Sequence, residues 1–201
     1  MAIIGASIVA QATSSGFEWL YPLRFVLALV ALWAFRAEYR RMDWTFGPLG
    51  PAAGLIVAAA WIAVHFILKP DPAAALGTVQ GLAALPNVER LAWIAVRIAA
   101  AALTVPIAEE LAFRGFMARR VMRADVENIP YRSLSLTAML VSAAAFGLMH
   151  GKMWIMGIVS GLIFAAVAKL RNRLGEAVAA HAVANLAIAV VALIRHDYTL
   201  W

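Results

Sequence analysis

Residues 174–195 read LGEAVAAHAVANLAIAVVALIR, an almost unbroken apolar stretch with a histidine and an asparagine near its middle. About 20 mostly apolar residues are enough for an α-helix to cross a lipid bilayer. Five similar stretches lie near 18–36, 51–68, 90–118, 133–151 and 153–169. They are too continuous for the alternating pattern of a transmembrane barrel. The sequence therefore predicts an all-α polytopic membrane bundle of about six spans and up to eight helices.

The remaining segments fit a single integral-membrane domain over residues 1–201. Residues 1–16 begin without a basic region, so we interpret them as a segment leading into the membrane rather than a cleavable signal peptide. The connection around 69–88 is rich in proline at both ends and is predicted to be a loop with a short amphipathic piece.

The composition points to lipid as the solvent. Hydrophobic residues make up 64% of the chain, charged residues 14%, and the mean hydropathy is +0.83. The absence of cysteine excludes disulfides, thiolate metal sites and cysteine catalysis. The net charge of +6 comes from small clusters between apolar stretches, which favours topology signals over a nucleic-acid surface. Three of these clusters occupy alternate connections, which predicts that they are cytoplasmic and both termini are outside: Arg36, Arg40 and Arg41; Arg119, Arg120, Arg123 and Arg132; Lys169, Arg171 and Arg173.

Ionisable residues at membrane depth are costly and usually serve a function. The third stretch contains two adjacent carboxylates and an arginine, Glu109, Glu110 and Arg114. Glu110 and Arg114 are four residues apart and share a helix face, while Glu109 is turned by about 100°. We therefore expect Arg114 to neutralise Glu110 and to leave Glu109 free to act as a general base in a cavity.

Two later stretches add imidazole and amide groups. His150 ends the fourth stretch, and His181 and Asn185 lie four residues apart on one face of the last. Glu109 and His181 are each about 15 Å from the nearest basic cluster by helical rise, whereas His150 would lie about 26 Å from Ser133 and fits less well. Such a set can activate water and stabilise an oxyanion, or it can form a structural polar knot. His65 is expected to be an interhelical hydrogen-bond partner.

The ordered motifs Glu109-Glu110-x-x-x-Arg114, Phe146-x-x-x-His150 and His181-x-x-x-Asn185 resemble the CPBP family of intramembrane proteases, which includes the CAAX-protease and Abi proteins. Residues 20–24 and Trp201 also look like the branch found in bacteria with exosortase systems. The resemblance implies endopeptidase activity in the bacterial inner membrane on a membrane-associated or C-terminally tagged protein. It implies Glu109 as the base, assisted by His150, with oxyanion stabilisation by His181 and Asn185, and support from Glu110 and Arg114.

The resemblance leaves the cofactor and two other functions open. We favour a metal-free reaction because the H-E-x-x-H zinc signature is missing, but Glu109, His150 and His181 are the residues that would bind zinc. A non-proteolytic scaffold or immunity protein that binds a partner peptide is the first alternative. A transporter using the carboxylates as a proton relay is the second, although no repeated half with broken helices is evident.

Overall fold

Eight helices make up most of the part of the chain that the structure describes. The structure, a computed structural model, describes residues 17–126 and 128–201, without the side chain of Arg24. The helices are α1 Tyr21–Ala34, α2 Arg36–Tyr39, α3 Leu49–Leu68, α4 Leu76–Ala84, α5 Asn87–Met122, α6 Leu136–Leu148, α7 Trp154–Arg171 and α8 Leu174–Arg195. None of the described residues is in a β-strand. The predicted all-α class is confirmed.

Four helices are long and apolar enough to cross a bilayer: α3, α5, α8, and α7 with the turn before it, Gly151–Arg171. The predicted spans at 18–36 and 133–151 were too long, because α1 has 14 residues and α6 has 13. Local interactions set the two ends of α6. The hydroxyl of Ser135 caps the first turn by accepting from the Ala138 N–H at 3.1 Å, and Gly151 turns the chain into α7 with a φ of +53°.

Of the two predicted segments outside the spans, the structure describes one. The connection at 69–88 contains a 3₁₀ turn, Pro72–Ala75, followed by the nine-residue helix α4. This agrees with the short helical piece predicted there. The segment 1–16, predicted to lead into the membrane, lies outside the described residues.

The three basic connections meet at one end of the bundle, which we call the basic end (residues 35–48, 123–135 and 172–173). Arg173 Nη1 donates to Thr45 Oγ1 at 2.9 Å, and the Arg132 N–H donates to Asn172 Oδ1 at 2.9 Å. The alternation seen in the sequence therefore places these clusters on the same side. Their cytoplasmic location stays a prediction from the charge rule.

Glycines bring the backbones of neighbouring helices into contact. A Cβ added to Gly147 of α6 would lie 2.6 Å from the Trp154 carbonyl, and one added to Gly157 of α7 would lie 2.8 Å from the Gly147 Cα. A Cβ on Gly54 of α3 would lie 2.3 Å from the Ala180 carbonyl of α8. Small residues at such positions are how helices pack closely where lipid provides no hydrophobic driving force.

The last turn of the chain is tied to α3 through His65. Its Nε2 atom is 3.2 Å from both Asp197 Oδ2 and Thr199 Oγ1, so the expected hydrogen-bond role of this histidine is confirmed. Burial acts to raise the pKa of Asp197, but hydrogen bonds from Thr199 and His65 outweigh it and hold the pKa below its usual value. This contact fixes the turn Tyr198–Leu200 beside α8.

A fully buried carboxylate, Glu176, holds the basic end together. It accepts hydrogen bonds from the backbone N–H groups of Gly47 and Gly50, both at 2.8 Å, and pairs with Arg173 Nη2 at 2.6 Å. The first turn of α8 is thereby joined to the loop that leads into α3. Nothing in the sequence pattern singled out this residue.

Replacement of Glu176 by alanine is expected to lower the free energy of unfolding by about 3–5 kcal/mol, because one buried N–H group, one partly buried N–H group and an arginine lose their acceptor. Denaturant titration of the purified chain in mixed micelles measures this change. Glu38→Ala is the control, since the exposed Glu38–Arg41 pair spans 3.8 Å and is expected to contribute less than about 1 kcal/mol. Equal effects of the two substitutions would show that Glu176 is not the anchor.

Candidate active site

The helix that carries the first motif, α5, has irregular hydrogen bonding. Residues Ala100–Thr104 and Leu111–Met117 are π-helical, on either side of the α-helical segment Val105–Glu110. The Val105 N–H reaches back to the Ala100 carbonyl, and the next residue, Pro106, has no N–H to offer the Ala101 carbonyl. Asn185 Nδ2 donates to that carbonyl at 2.8 Å. The proline in the motif thus creates the acceptor that α8 uses.

At the centre of the bundle lies the ion pair between Glu110 and Arg114, and both side chains are fully buried. Arg114 Nη1 donates to Glu110 Oε1 at 2.8 Å, as the four-residue spacing predicted. Arg114 Nη2 donates to the Gly161 carbonyl of α7 at 2.7 Å, and the guanidinium lies 4.6 Å from the centroid of the Phe146 ring. The pair therefore links α5 to α6 and α7.

His181 of α8 contacts the same carboxylate. Its Nδ1 is 3.0 Å from Glu110 Oε1, and its ring stacks on Phe164 with centroids 4.9 Å apart and an interplanar angle of 17°. An ionised carboxylate only accepts, so Nδ1 is the donor and the lone pair of neutral His181 is on Nε2. That nitrogen is 3.9 Å from Glu109 Oε2. One imidazole thus lies between two carboxylates.

The two glutamates differ in surroundings as the sequence suggested. The side chain of Glu109 is 23% exposed, whereas that of Glu110 is 0% exposed and paired with Arg114. Glu109 has no arginine within ion-pair distance among the described residues. It is the more exposed of the two carboxylates.

His150 lies two residues beyond the end of α6, close to the end of the fourth stretch. It follows α6 instead of ending a long span, and its Nδ1 donates to the Phe146 carbonyl at 2.8 Å. Its ring packs 5.5 Å from Trp61. Within the described part of the chain, no hydrogen bond or ion pair joins His150 to Glu109. The sequence left open whether His150 reaches Glu109, since a helix that starts at Ser133 would carry it nearly across the bilayer.

A cavity of about 190 Å³ adjoins the cluster. Its lining includes His150, His181 and Asn185, so the three residues from the second and third motifs share one space. Neither glutamate lines it, contrary to the expectation that Glu109 faces the same cavity as His150. His181 is the residue common to the cavity and the carboxylate cluster. The other walls are mainly aromatic and aliphatic.

The possible zinc ligands do not form a three-residue set. Among residues 17–126 and 128–201, no group of three or more His, Asp or Glu side chains is placed to hold a metal ion. Glu109 and His181 approach each other, but the Nδ1 of His150 is bonded to backbone and its ring packs on Trp61 and Phe146. The residues as arranged do not fit a zinc site.

Several supporting residues could not be assigned from the sequence. Ser142 Oγ donates to the Phe113 carbonyl at 2.8 Å within the second π-helical stretch, and Gly161 and Phe164 contact Arg114 and His181. Two signals pointed toward them. Pro106 in mid-span marks an irregular helix, and the Gly157-x-x-x-Gly161 spacing marks a close helix contact.

Glu110→Gln and Arg114→Met are each expected to lower the free energy of unfolding by about 3–5 kcal/mol, because each leaves a buried charge without its partner. The double variant should lose less than the sum, since neither charge remains. Unfolding titrations of the four proteins in mixed micelles give the coupling energy. Additive losses would contradict a direct dependence between the two charges.

The comparisons with known proteins agree with the motifs. Residues 91–187 match the family model described as type II CAAX prenyl endopeptidase Rce1-like, and this segment contains all three motifs. No curated protein and no solved structure matches the chain. With four long apolar helices, the chain is a membrane protein; the exosortase-linked branch and the bacterial inner membrane stay predictions. The resemblance to CPBP proteases is thus confirmed over residues 91–187, which are similar to the Rce1-like type II CAAX prenyl endopeptidase family.

Proposed function

We propose that this chain is an intramembrane endopeptidase in which Glu109 activates the attacking water. The observation that carries the proposal is the imidazole of His181 between two glutamates of unequal burial, one held by Arg114 and one more open. A general base needs a carboxylate that is not already consumed by an ion pair, and Glu109 meets this condition. The family match supports the same reaction class.

In the proposed reaction, Glu109 removes a proton from water as the oxygen attacks the carbonyl carbon of the scissile peptide bond. The bond between carbon and nitrogen then breaks, and the nitrogen receives a proton to leave as an amine, while the other product is a carboxylic acid. The distance of 3.9 Å between Glu109 and His181 Nε2 exceeds a hydrogen bond, as catalytic pairs often do before substrate binds. His181 can pass the proton from Glu109 to the leaving nitrogen.

Four other residues support the charge changes. Glu110 and Arg114 fix the orientation of His181 through its Nδ1 atom. Asn185 has two amide hydrogens and uses one for the Ala101 carbonyl, so the second is free for the oxyanion of the tetrahedral intermediate. Neutral His150 donates through Nδ1 and therefore has an accepting Nε2, which suits a proton acceptor and not an oxyanion donor.

We propose a protein substrate that is associated with the membrane or carries a C-terminal tag. The family name adds a prenylated CAAX terminus as the first chemistry to test. The cavity beside His181 has mainly apolar walls and accepts one or two side chains of an extended segment. Lipid is the other expected partner, and nucleic acid is not expected.

Glu109→Gln is expected to lower kcat/KM by roughly 10²–10⁴-fold, the usual contribution of a general base. The measurement uses proteoliposomes of the full chain and a quenched fluorescent peptide ending in a CAAX sequence, with and without a prenyl group on its cysteine. Glu89→Gln, an exposed glutamate on the same helix, should cleave at the wild-type rate. Undiminished cleavage by a folded Glu109→Gln protein would refute the assignment, and the two peptides separate a prenyl requirement from general proteolysis.

We further propose that no metal takes part, since the geometry of Glu109, His150 and His181 does not form a three-ligand set. Treatment with a zinc chelator followed by dialysis should change the cleavage rate by less than about two-fold, because a glutamate and imidazole mechanism needs no Lewis acid. The rate is measured before and after addition of zinc. A cleavage rate that falls on chelation and returns when zinc is added would show that the reaction depends on zinc.

A further inference from the structure

A second cavity lies at the basic end and shares no lining residue with the first. It runs between α1 with the loop after it and the C-terminal half of α5, and its volume is about 1130 Å³. This exceeds the roughly 300–1,000 Å³ of ordinary small-molecule pockets. We call it the Arg119 groove, after the residue at its closed end.

The walls of the Arg119 groove that α1 and the middle of α5 provide are mainly apolar. Ala28, Leu32 and Phe35 line it from the side of α1, and Ala112 and Phe116 line it from α5. α5 is one of the four candidate membrane spans, and α1 is a shorter apolar helix. Such walls suit a flexible hydrocarbon chain, which can follow an irregular surface between two helices.

The closed end of the groove is cationic and hydrogen-bonding. Arg119 is 7% exposed and Tyr131 is 9% exposed, and the guanidinium lies 5.2 Å from the tyrosine ring centroid. In the described part of the chain neither Arg119 Nε nor the Tyr131 hydroxyl meets the geometry of a hydrogen bond, although the Arg119 side chain lies close enough to the hydroxyl to lower the pKa of Tyr131 in part. Burial raises the pKa of Tyr131, so its hydroxyl remains a donor. The N–H group at Arg119 Nε and the Tyr131 hydroxyl are thus neighbouring buried donors without an acceptor among the described residues.

The other charged residues that line the groove already have partners. Arg173 pairs with Glu176 at 2.6 Å, and the exposed Arg41 pairs with Glu38 at 3.8 Å. Asp43, which also lines the groove, accepts from Thr45 through its Oδ1 atom. Among the charged lining residues that the structure describes, Arg119 is thus the one without an acidic partner, and an anion beside it and Tyr131 would supply an acceptor.

We propose that the Arg119 groove binds one anionic phospholipid, with its phosphate on Arg119 and Tyr131 and an acyl chain between α1 and α5. The anionic group and the hydrocarbon lie at opposite ends of such a lipid, as the donors and the apolar walls do in the groove. Basic pockets between membrane helices on the cytoplasmic side are suited to anionic headgroups. The site is independent of the proteolytic function proposed above.

Native mass spectrometry of the full chain in detergent, with added dioleoyl-phosphatidylglycerol or dioleoyl-phosphatidylcholine, tests the proposal. One phosphatidylglycerol per chain should be retained at least about ten-fold more tightly than phosphatidylcholine, since only the former keeps a net negative headgroup. Arg119→Gln should weaken phosphatidylglycerol binding by about ten-fold. Arg120→Gln is the matched control, because Arg120 is the exposed neighbour and does not line the groove.

Ala112→Trp adds a test that leaves the charge unchanged. It fills the apolar wall and should weaken binding of phosphatidylglycerol while the protein keeps its unfolding midpoint.

Inorganic phosphate at millimolar concentration should not displace the lipid; displacement would assign the site to a free anion. An equal loss of phosphatidylglycerol affinity in Arg119→Gln and Arg120→Gln would show that binding depends only on the general surface charge. Arg119-dependent binding of an acidic peptide in place of phosphatidylglycerol would assign the groove to a protein. Each of these three results overturns the proposal.

Discussion

The carboxylate of Glu110 is the point at which the helices of this bundle depend on one another. It binds Arg114 of its own helix and His181 of α8, and Arg114 in turn binds the Gly161 carbonyl of α7. A buried ion is destabilising unless its partners are placed well, so the pair limits how these helices can pack. The aromatic rings of Phe146 and Phe164 surround the guanidinium and the imidazole and keep lipid from them. The polar contacts at the centre of the bundle and the aromatic packing around them therefore depend on each other.

The irregularity of α5 is the second constraint, and it follows from Pro106. A regular α-helix would present the carboxylates and the Ala101 carbonyl at different angles to α8. The π-helical stretches widen the helix on both sides of Glu109 and Glu110, and they release a carbonyl for Asn185. π-Bulges are frequent at functional sites, where the altered rotation directs side chains inward. Here the widening occurs on both flanks of the two glutamates.

Local spacing was enough to predict some of these contacts. The i, i+4 rule identified Glu110 with Arg114 and placed His181 with Asn185 on one face, and continuous apolar runs predicted the all-α class. The sequence could not predict which histidine meets the carboxylates, because that depends on where each helix ends and how deep it sits. Gly147 and Gly157 set the depth of α6 against α7 through backbone contacts that spacing does not reveal. Glu176 was missed for a similar reason, since its partners Gly47 and Gly50 are distant in sequence.

The glycine contacts also affect how the bundle can move. Helices whose backbones touch, as α6 and α7 do at Gly147 and α3 and α8 do at Gly54, cannot slide past each other without a steric clash, so each pair behaves as a rigid unit under shear. The packing of α1 on α5 is different, because it relies on side chains such as Tyr21 and Trp93, whose rings are 5.8 Å apart. Side chains change rotamer far more easily than backbones separate. Of these three helix pairs, α1 and α5 are therefore the pair that can separate through side-chain rearrangement alone.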